Sequence, residues 1–385
     1  MAARPRSDGP LRVGVVGCGN VALNDHVPGH LALPDLFRLV AVADPTPERR
    51  ELGRLRAGLG ERDAHASAEE LLARDDLDVV DVCTPQHLRR EIVLAAIASG
   101  RHVLSEKPLA TVPRDAAAMA AAAREAGVTL GVVHNYLFFQ EVEAALRIIG
   151  SGELGPVEVA ILNYLGVLDL PGAAAYRPAW RHDATQAGGG VLTDMLHIVY
   201  LAEALLGRPI ERVSAWVDAR TDGASVEDLA IVRFEAERAV ALVNMGWGVG
   251  PGGIEVSGPR GRLAIRYRDG ATGPFVPFES LVVHGPGGRR EVPVATDWDA
   301  AFVALLADFG RAVLDGRDPI APGEQGLHIL EATLAAYASA ALGQTVTLPL
   351  DPADPVHERG VGGLRELALP DWSPVRRHRL FGVGG

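Results

Sequence analysis

The feature that most constrains the fold is a glycine-rich turn that directly follows the first apolar run of the chain. Residues 11–16 form a short run of strand type, and Gly17, Gly19 and Ala22 then make a G-x-G-x-x-A pattern that opens a helical segment. The first glycine of such a turn permits the tight bend, the second lets a pyrophosphate approach the backbone, and the small third residue lets the helix pack on the strand. The pattern therefore predicts a dinucleotide at the helix N-terminus, bound by Gly17, Gly19, Asn20, Val21 and Ala22.

Short apolar runs and helical patterns alternate through the first third of the chain, as they do in βαβ units. The predicted strands cover residues 11–16, 39–43, 64–66, 79–83, 102–104 and 128–133. This count predicts an α/β Rossmann domain, a doubly wound parallel sheet, over residues 11–134, behind a disordered tail at residues 1–10.

The pattern changes after residue 134, where segments of strand type follow one another with few helices between them. They cover residues 157–165, 210–219, 229–234, 239–247, 253–256, 262–267 and 281–284, and helices are predicted at 191–206, 300–314 and 327–342. Consecutive strands with tight connections indicate an antiparallel sheet. We therefore predict an α+β domain with a large, open, mainly antiparallel sheet over residues 135–350, followed by a C-terminal extension over 351–385.

The balance of charge excludes several classes of partner. The chain of 385 residues carries a formal net charge of −12, which argues against a nucleic-acid partner and against docking on an anionic membrane. Two cysteines, Cys18 and Cys83, make no disulfide framework, and no cluster of cysteine and histidine suggests a metal site. The first apolar run is too short for a signal peptide or a membrane span, so we expect a cytoplasmic protein.

Asp44 ends the second predicted strand, where a carboxylate binds the ribose hydroxyls of NAD in domains of this type. The alternative is that Asp44 only precedes the helix that begins after Pro45. Arg49 and Arg50 follow closely and could meet a 2′-phosphate, which keeps NADP open, although an exposed helix face is the favoured explanation for them.

Two further segments follow strands at the same edge of the predicted sheet, namely Thr84-Pro85 and Ser105-Glu106-Lys107-Pro108. Lys107 is the single lysine of the chain, since the other 36 of its 37 basic residues are arginine. Unlike arginine, a lysine can lose its proton when its pKa is lowered, which suits a proton donor or a group that polarises a carbonyl. The alternative is that Lys107 survives by chance.

In the second half of the chain, Gly188 to Gly190 precede a predicted helix that carries Asp194 and His197. Three residues apart, the two side chains are expected on one helix face. A histidine is the natural general base for a hydroxyl proton near neutral pH. The alternatives are a buried core histidine and a carboxylate that only complements the helix dipole.

The sequence resembles the Gfo/Idh/MocA family of NAD(P)-dependent oxidoreductases over nearly its whole length up to about residue 350. The matching pieces are the glycine turn, 82–85 with His87, 100–109, 152–155, Trp180-Arg181, 188–190 with Asp194 and His197, Gly323 with 326–327, and 336–341. The resemblance implies that Lys107, Asp194 and His197 form the catalytic group. It also implies that NAD contacts Thr84, Pro85, His87, Glu106 and Lys107.

The chain departs from the family pattern at one place. Asp194 precedes His197 by three residues rather than four, and Tyr200 stands where an acidic residue often follows the histidine. The register of the helix favours His197 over Asp194 as the position that is retained.

The resemblance implies hydride transfer between nicotinamide and a carbinol or ketone carbon of a sugar, a sugar derivative or a cyclitol. His197 would remove the hydroxyl proton while Lys107 stabilises the developing oxyanion. The position and polarity of six residues suggest that they contact the substrate, with a core or surface role as the alternative for each. They are Asn135, Tyr136, Arg177, Trp180, Arg181 and Asp183.

Two other functions remain open at this point. One is glycoside cleavage by transient oxidation with a retained NAD, and the other is a nucleotide-sensing regulatory protein. Whichever function applies, the open sheet of the second domain predicts a homodimer or homotetramer, because a second copy of the chain would cover the exposed face of that sheet.

Overall fold

The computed structural model describes residues 9–167, 184–219, 226–247, 250, 252–267, 278–295 and 297–364. By their contacts the residues fall into two compact units. The first unit comprises 1–110, 115–135 and 299–327, and the second comprises 111–114, 136–298 and 328–385. In chain order the helices are α1 Val27–Leu31, α2 Pro47–Arg56, α3 Ala68–Leu72, α4 Gln86–Ala98, α5 Pro113–Ala126, α6 Gln140–Gly150, α7 Ala184–Ala187, α8 Val191–Asp194, α9 Leu196–Leu206, α10 Trp298–Asp315, α11 Gly323–Leu342 and α12 Pro355–Arg359.

A six-stranded parallel sheet forms the centre of the first unit and confirms the predicted doubly wound architecture. Its strands are β1 Leu11–Val16, β2 Phe37–Ala43, β3 Ala64–His65, β4 Val79–Val82, β5 His102–Ser105 and β6 Leu130–Val132. They lie in the order β3-β2-β1-β4-β5-β6. The order reverses between β1 and β4, so the carboxyl ends of these two strands are neighbours, and such a switch point is where sheets of this type bind ligands.

The first helical segment after β1 contains a π-helical turn at Ala22–His26, directly before α1. Pro28 has no backbone N–H and its ring would meet the carbonyl four residues earlier in a regular α-helix, so a wider turn accommodates it. Gly29 follows because a Cβ there would lie 2.6 Å from Cδ1 of Leu306 on α10. The Pro-Gly pair therefore reshapes the helix without ending it.

A nine-stranded sheet dominates the second unit and confirms the mainly antiparallel prediction. Its strands are β7 Val159–Val167, β8 Arg212–Asp218, β9 Leu229–Ala236, β10 Ala239–Trp247, β11 Gly252–Gly258, β12 Gly261–Tyr267, β13 Phe278–Gly285, β14 Gly288–Val292 and β15 Val346–Thr347. Their order is β14-β13-β12-β11-β7-β10-β9-β8-β15, with β7 and β10 as a parallel pair. The sequence patterns did not predict β14 and β15, which are short strands at the two edges.

The two faces of this sheet differ. Side chains alternate along the strands, and one set is buried toward α9, as for Ala241, Val243 and Met245 of β10. The strand register places the other set on one open face, which exposes apolar side chains of four neighbouring strands: Val159, Trp216, Ile231 and Leu242.

The helix predicted over residues 191–206 is interrupted, which corrects that prediction. Met195, with φ −95° and ψ 30°, separates α8 from α9. The C-terminal extension contributes α12 within its described part, and its residues from 365 onward lie outside the described residues. Among the helices of the described ranges, none is long and apolar enough to cross a membrane.

Candidate active site

The glycine-rich turn lies where β1 meets the end of β4. Gly17 has φ +94°, its N–H donates to the carbonyl of Ala43 at 2.8 Å, and a Cβ on it would lie 2.9 Å from the carbonyl oxygen of Cys83. Only glycine tolerates both the positive φ and this approach. Gly19 has open space where a Cβ would point, so its backbone is accessible, and the Val21 side chain beside it is exposed while Ala22 is buried.

Asp44 ties this turn to the end of β2. Its Oδ2 accepts the N–H of Cys18 and its Oδ1 accepts the N–H of Thr46, both at 2.8 Å. The carboxylate is thus fixed in orientation, with remaining lone pairs for further donors. Arg50 donates to the carbonyl oxygen of Asp44 at 2.8 Å, whereas Arg49 is exposed.

The same edge of the sheet holds buried polar atoms that suit a dinucleotide. Oγ1 of Thr84, directly after β4, makes no hydrogen bond with the described residues, and neither does Oδ1 of Asn135 after β6. Buried polar atoms normally have partners, so these two are fitted to a polar ligand. Pro85 is half-buried, and His87 is exposed on the first turn of α4. With the glycine turn and Asp44, Thr84, Pro85 and His87 fit a bound NAD, whereas Asn135 is a predicted substrate contact.

A cluster of charged side chains lies beneath this edge, and sequence reasoning did not find it. Nδ1 of His26 lies 2.8 Å from Oδ2 of Asp81, Nε2 of His30 lies 2.8 Å from the same oxygen, and Nε2 of His26 lies 3.1 Å from Oε1 of Glu106. Oε2 of Glu106 accepts the backbone N–H of Lys107 at 2.9 Å. The cluster therefore connects β4 to the predicted catalytic lysine.

Mutual interaction keeps this cluster ionised. Burial is the largest single influence and opposes the charged form of His26, but the charge and hydrogen bond of Asp81, together with Cys83, outweigh it and raise the pKa of His26 well above its usual value. Burial alone would raise the pKa values of Asp81 and Glu106, yet the charge and hydrogen bonds of His26 lower both. We therefore describe His26 as an imidazolium that bridges two carboxylates.

The cluster also brings together groups of metal-ligand type, because atoms of His26, Asp81 and Cys83 lie within 4.8 Å of one another. Hydrogen bonds account for this arrangement: Asp81 bonds His26, and Sγ of Cys83 lies 3.7 Å from Oδ1 of Asp81. Burial raises the pKa of Cys83 to about 12, so its thiol stays protonated. A sequence signal did exist, namely two histidines four residues apart in a buried helix and one aspartate inside an apolar strand.

Lys107 follows β5 and is half-buried. Burial first, and then the charge of Lys107, lower the pKa of His134 at the end of β6 to about 3, while Gln325 acts in the opposite direction. His134 is therefore neutral beside the positive charge of Lys107.

The second unit surrounds His197 with two tyrosines. Nδ1 of His197 lies 2.7 Å from the hydroxyl of Tyr200, and the imidazole stacks on the ring of Tyr136 with centroids 4.1 Å apart. The backbone N–H of Tyr136 donates to the same Tyr200 hydroxyl at 3.0 Å. One hydroxyl thus joins the histidine to the backbone of the residue that stacks on it, and the role of Tyr200 was not predicted.

Asp194 does not share a regular helix face with His197, because Met195 breaks the helix between them. This corrects the expectation drawn from their spacing. Oδ2 of Asp194 accepts the indole N–H of Trp247 at 3.3 Å. Burial first, and then the charges of Tyr164 and Asp194, raise the pKa of Tyr136 well above its usual value. Four predicted substrate contacts lie outside the described residues: Arg177, Trp180, Arg181 and Asp183.

Comparison with known proteins identifies the family of the chain. A family model for the oxidoreductase family with an NAD-binding Rossmann fold matches residues 11–134, and a GFO/IDH/MocA C-terminal domain model matches residues 142–264. The 1,5-anhydro-D-fructose reductase of Ensifer adhaerens is 31% identical over 321 residues, which are 80% of this chain and 91% of that protein.

Two further similarities span most of the chain. The D-xylose 1-dehydrogenase (NADP(+)) 2 of Haloferax volcanii is 29% identical over 337 residues, 85% of this chain and 94% of that protein. The crystal structure of aldose-aldose oxidoreductase from Caulobacter crescentus complexed with glycerol matches with a TM-score of 0.77 at 28% identity, covering 88% of this chain and 100% of that one. The chain is therefore a member of the Gfo/Idh/MocA family of NAD-binding oxidoreductases.

Proposed function

We propose that the protein oxidises a hydroxyl, or reduces the corresponding carbonyl, on a sugar, a sugar derivative or a cyclitol. The observation that carries this proposal is the histidine held by Tyr200 and Tyr136 in a chain whose other unit binds NAD. The names of the relatives, a 1,5-anhydro-D-fructose reductase and a D-xylose 1-dehydrogenase, support sugar substrates. When bound, the nicotinamide supplies or accepts the hydride.

His197 is proposed as the general base in oxidation and the general acid in reduction. For Nε2 to take a substrate proton, Nδ1 must already carry one. The Tyr200 hydroxyl is the partner of Nδ1 at 2.7 Å, so we assign an Nδ1–H that donates to it. Tyr136 restricts the imidazole plane by stacking on it. Asp194, held by Trp247, is proposed as a second polar group near Tyr136.

Lys107 is proposed to stabilise the negative charge that develops on the oxygen bonded to the reacting carbon. The Glu106 carboxylate fixes the backbone of Lys107, and His26 fixes that carboxylate in turn. This arrangement gives Glu106 a supporting position, in addition to the predicted cofactor contact. An ammonium group that is already in place stabilises charge without reorganising during the reaction.

The cofactor is proposed to bind to Gly17, Gly19, Asn20, Val21 and Ala22 of the turn, to Asp44, and to Thr84, Pro85, His87, Glu106 and Lys107. Asp44 is fixed by two backbone N–H groups, and its carboxylate favours NAD by accepting hydrogen bonds from the ribose hydroxyls. NADP stays open because Arg50 is held beside Asp44. Asn135 and Tyr136 are proposed substrate contacts.

A second copy of the chain is proposed to cover the open sheet face defined by Val159, Trp216, Ile231 and Leu242. Isolated exposed apolar residues are ordinary, but four on adjacent strands of one face favour association. Light scattering on the purified protein should give a dimer or tetramer, and Ile231→Asp should shift it toward monomer. A wild-type monomer would contradict the proposal. The cytoplasmic location stays a prediction.

The experiment that tests the proposed function is a screen of carbonyl sugars and polyols with the purified protein and each nicotinamide cofactor. The proposal predicts that at least one sugar consumes NADH or NADPH, or that one polyol reduces the oxidised form. Tight NADH binding with no turnover across sugars and cyclitols would contradict it. Cleavage of a glycoside with no net change in a retained NAD would favour transient oxidation instead.

A further inference from the structure

Two of the three glycines before α8, Gly189 and Gly190, lie against Tyr337 and Glu227. Gly189 has φ +151°, and a Cβ there would overlap the hydroxyl of Tyr337. A Cβ on Gly190 would overlap the backbone carbonyl of Glu227 and lie 2.7 Å from its Oε2. The absence of a side chain at Gly189 and Gly190 therefore lets Tyr337 and Glu227 approach the backbone at the start of α8.

Glu227 collects several donors there with one buried carboxylate. Its Oε2 accepts the N–H of Gly190 at 2.9 Å, and its Oε1 accepts the N–H of Leu192 at 3.0 Å and the hydroxyl of Tyr337 at 2.6 Å. Its backbone carbonyl accepts the N–H of Val191 at 3.0 Å. The first N–H groups of a helix have no acceptors within the helix, so the oxygens of Glu227, from another part of the chain, act as their acceptors.

These contacts fix the segment that carries the proposed acid–base groups. Oγ1 of Thr193 lies 3.2 Å from the Tyr337 hydroxyl and donates to the carbonyl of Gly188 at 3.2 Å. Asp194 follows directly, and His197 lies in the first turn of α9.

The neighbour of Glu227 holds the other side of the same segment. The carbonyl of Asp228 accepts the backbone N–H of Trp247 at 3.0 Å, and the Trp247 indole bonds Asp194. The Glu227-Asp228 pair thus reaches Asp194 by two independent routes, one through α8 and one through Trp247.

We propose that Glu227 is a positioning residue whose carboxylate clamps residues 190–192 and thereby holds Asp194 and His197 in place for the reaction. It acts through the backbone of α8 and touches neither cofactor nor substrate in this account. The inference rests on the proposed function for its kinetic readout, but the clamp itself is testable without turnover.

The clamp is expected to depend on pH. Burial raises the pKa of Glu227 to about 7, although the Tyr337 hydroxyl and the backbone donors lower it in part. Among the described residues, Tyr337 on α11 is the titratable side chain that bonds this carboxylate. On α8, which the carboxylate bonds through the backbone, the charged residue is Asp194. Below the raised pKa, Glu227 carries a proton and accepts the two backbone N–H groups less strongly, so the clamp weakens toward acid pH.

The test compares Glu227→Gln and Tyr337→Phe with the wild type in the direction of carbonyl reduction. In that direction His197 must be protonated, so its own titration lowers the rate as pH rises, and a loss on the acid side belongs to another group. Glu227→Gln is expected to lower kcat about 10-fold, because an amide cannot accept hydrogen bonds at both positions. It should also remove the acid-side loss, because an amide does not titrate. Tyr337→Phe should give a smaller decrease and retain the acid-side loss.

Two controls separate positioning from general damage. Glu331→Gln removes another buried glutamate of the second unit and should leave kcat and its pH profile unchanged. NADH affinity should be equal in all variants, since the clamp lies outside the NAD-binding unit. A Glu227→Gln enzyme that loses activity with an unaltered pH profile, in proportion to a lower Tm, would overturn the proposal.

Amide hydrogen exchange tests the clamp without any enzyme turnover. The amides of Gly190 and Leu192 should exchange at least about 10-fold faster in Glu227→Gln than in wild type, while amides of α11 outside the contact stay protected. Unchanged exchange at both amides would refute the clamp even if the enzyme is active. Faster exchange in a protein that turns over no sugar would contradict the proposed function and leave the clamp standing.

Discussion

The Tyr200 hydroxyl lies 2.7 Å from Nδ1 of His197 and also accepts the backbone N–H of Tyr136 at 3.0 Å. A neutral hydroxyl thus stands where the resemblance led us to expect an acidic partner for the histidine. Because one hydrogen-bonded oxygen orients the imidazole, its loss should free the ring to adopt the other tautomer.

Tyr200→Phe should therefore lower kcat about 10-fold with little change in KM, the loss expected for one hydrogen bond that aligns a reacting group. Steady-state kinetics on the best sugar substrate would measure this. Tyr267→Phe is the matched control, since its hydroxyl lies 3.2 Å from that of Tyr164 and has no bond to His197 in the described contacts. Equal kinetics for Tyr200→Phe and wild type would remove Tyr200 from the account.

Asp44→Asn should weaken NADH binding about 10-fold, because an amide group can accept only one of the N–H bonds from Cys18 and Thr46 and no longer carries charge for the ribose hydroxyls. NADPH binding should change less, since its 2′-phosphate replaces the ribose hydroxyl to which the carboxylate would bond. Titration by nicotinamide fluorescence measures both. Glu48→Gln removes an exposed charge nearby as the control, and an equal loss for both cofactors would argue that Asp44 only supports the turn.

His26→Gln should destabilise the first unit by about 3 to 5 kcal/mol near pH 6, since it leaves two buried carboxylates without their shared cation. The folded-state pKa of His26 is raised, so its contribution is fully present below the unfolded-state pKa, about 6.5, and is lost as pH rises through the folded value. The difference in Tm between the variant and wild type should therefore be largest at acid pH and shrink toward alkaline pH.

His65→Gln provides the opposite sign as a control. Burial lowers the pKa of His65, so its neutral replacement should gain relative stability toward acid pH. A Tm difference for His26→Gln that is constant across the pH range would show that His26 is not a charged bridge.

The topology was predictable because local signals repeat along the chain. Apolar runs with helices between them specify parallel strands, and the carboxyl ends of such strands share one edge, which is why Gly17 and Thr84 come together as expected. In the second sheet consecutive strands pair from β8 to β10 and from β11 to β14, but β7 lies between β10 and β11 and is parallel to β10, which no local pattern indicates. At the edges, β14 and β15 carry too few apolar residues to produce a pattern.

The contacts that tune the site were not predictable, because they join distant segments. His26 meets Asp81 and Glu106 across separations of 55 and 80 residues, and Glu227 meets Gly190 across 37. A local signal such as the aspartate inside an apolar strand shows that a partner is needed but does not identify it, and only the packed fold brings these residues together. The break at Met195 likewise follows from the tertiary contacts of α8 and has no glycine or proline to signal it.

The proposed roles of Lys107 and His197 in hydride transfer are tested by Lys107→Met and His197→Ala, assayed for NADH binding and for turnover of the same sugar. Both variants should still bind NADH, His197→Ala as tightly as the wild type, and each should lose turnover by about 100- to 10,000-fold, the range expected for a lost acid–base group. Full turnover in either variant, with NADH bound normally, would contradict the proposed mechanism.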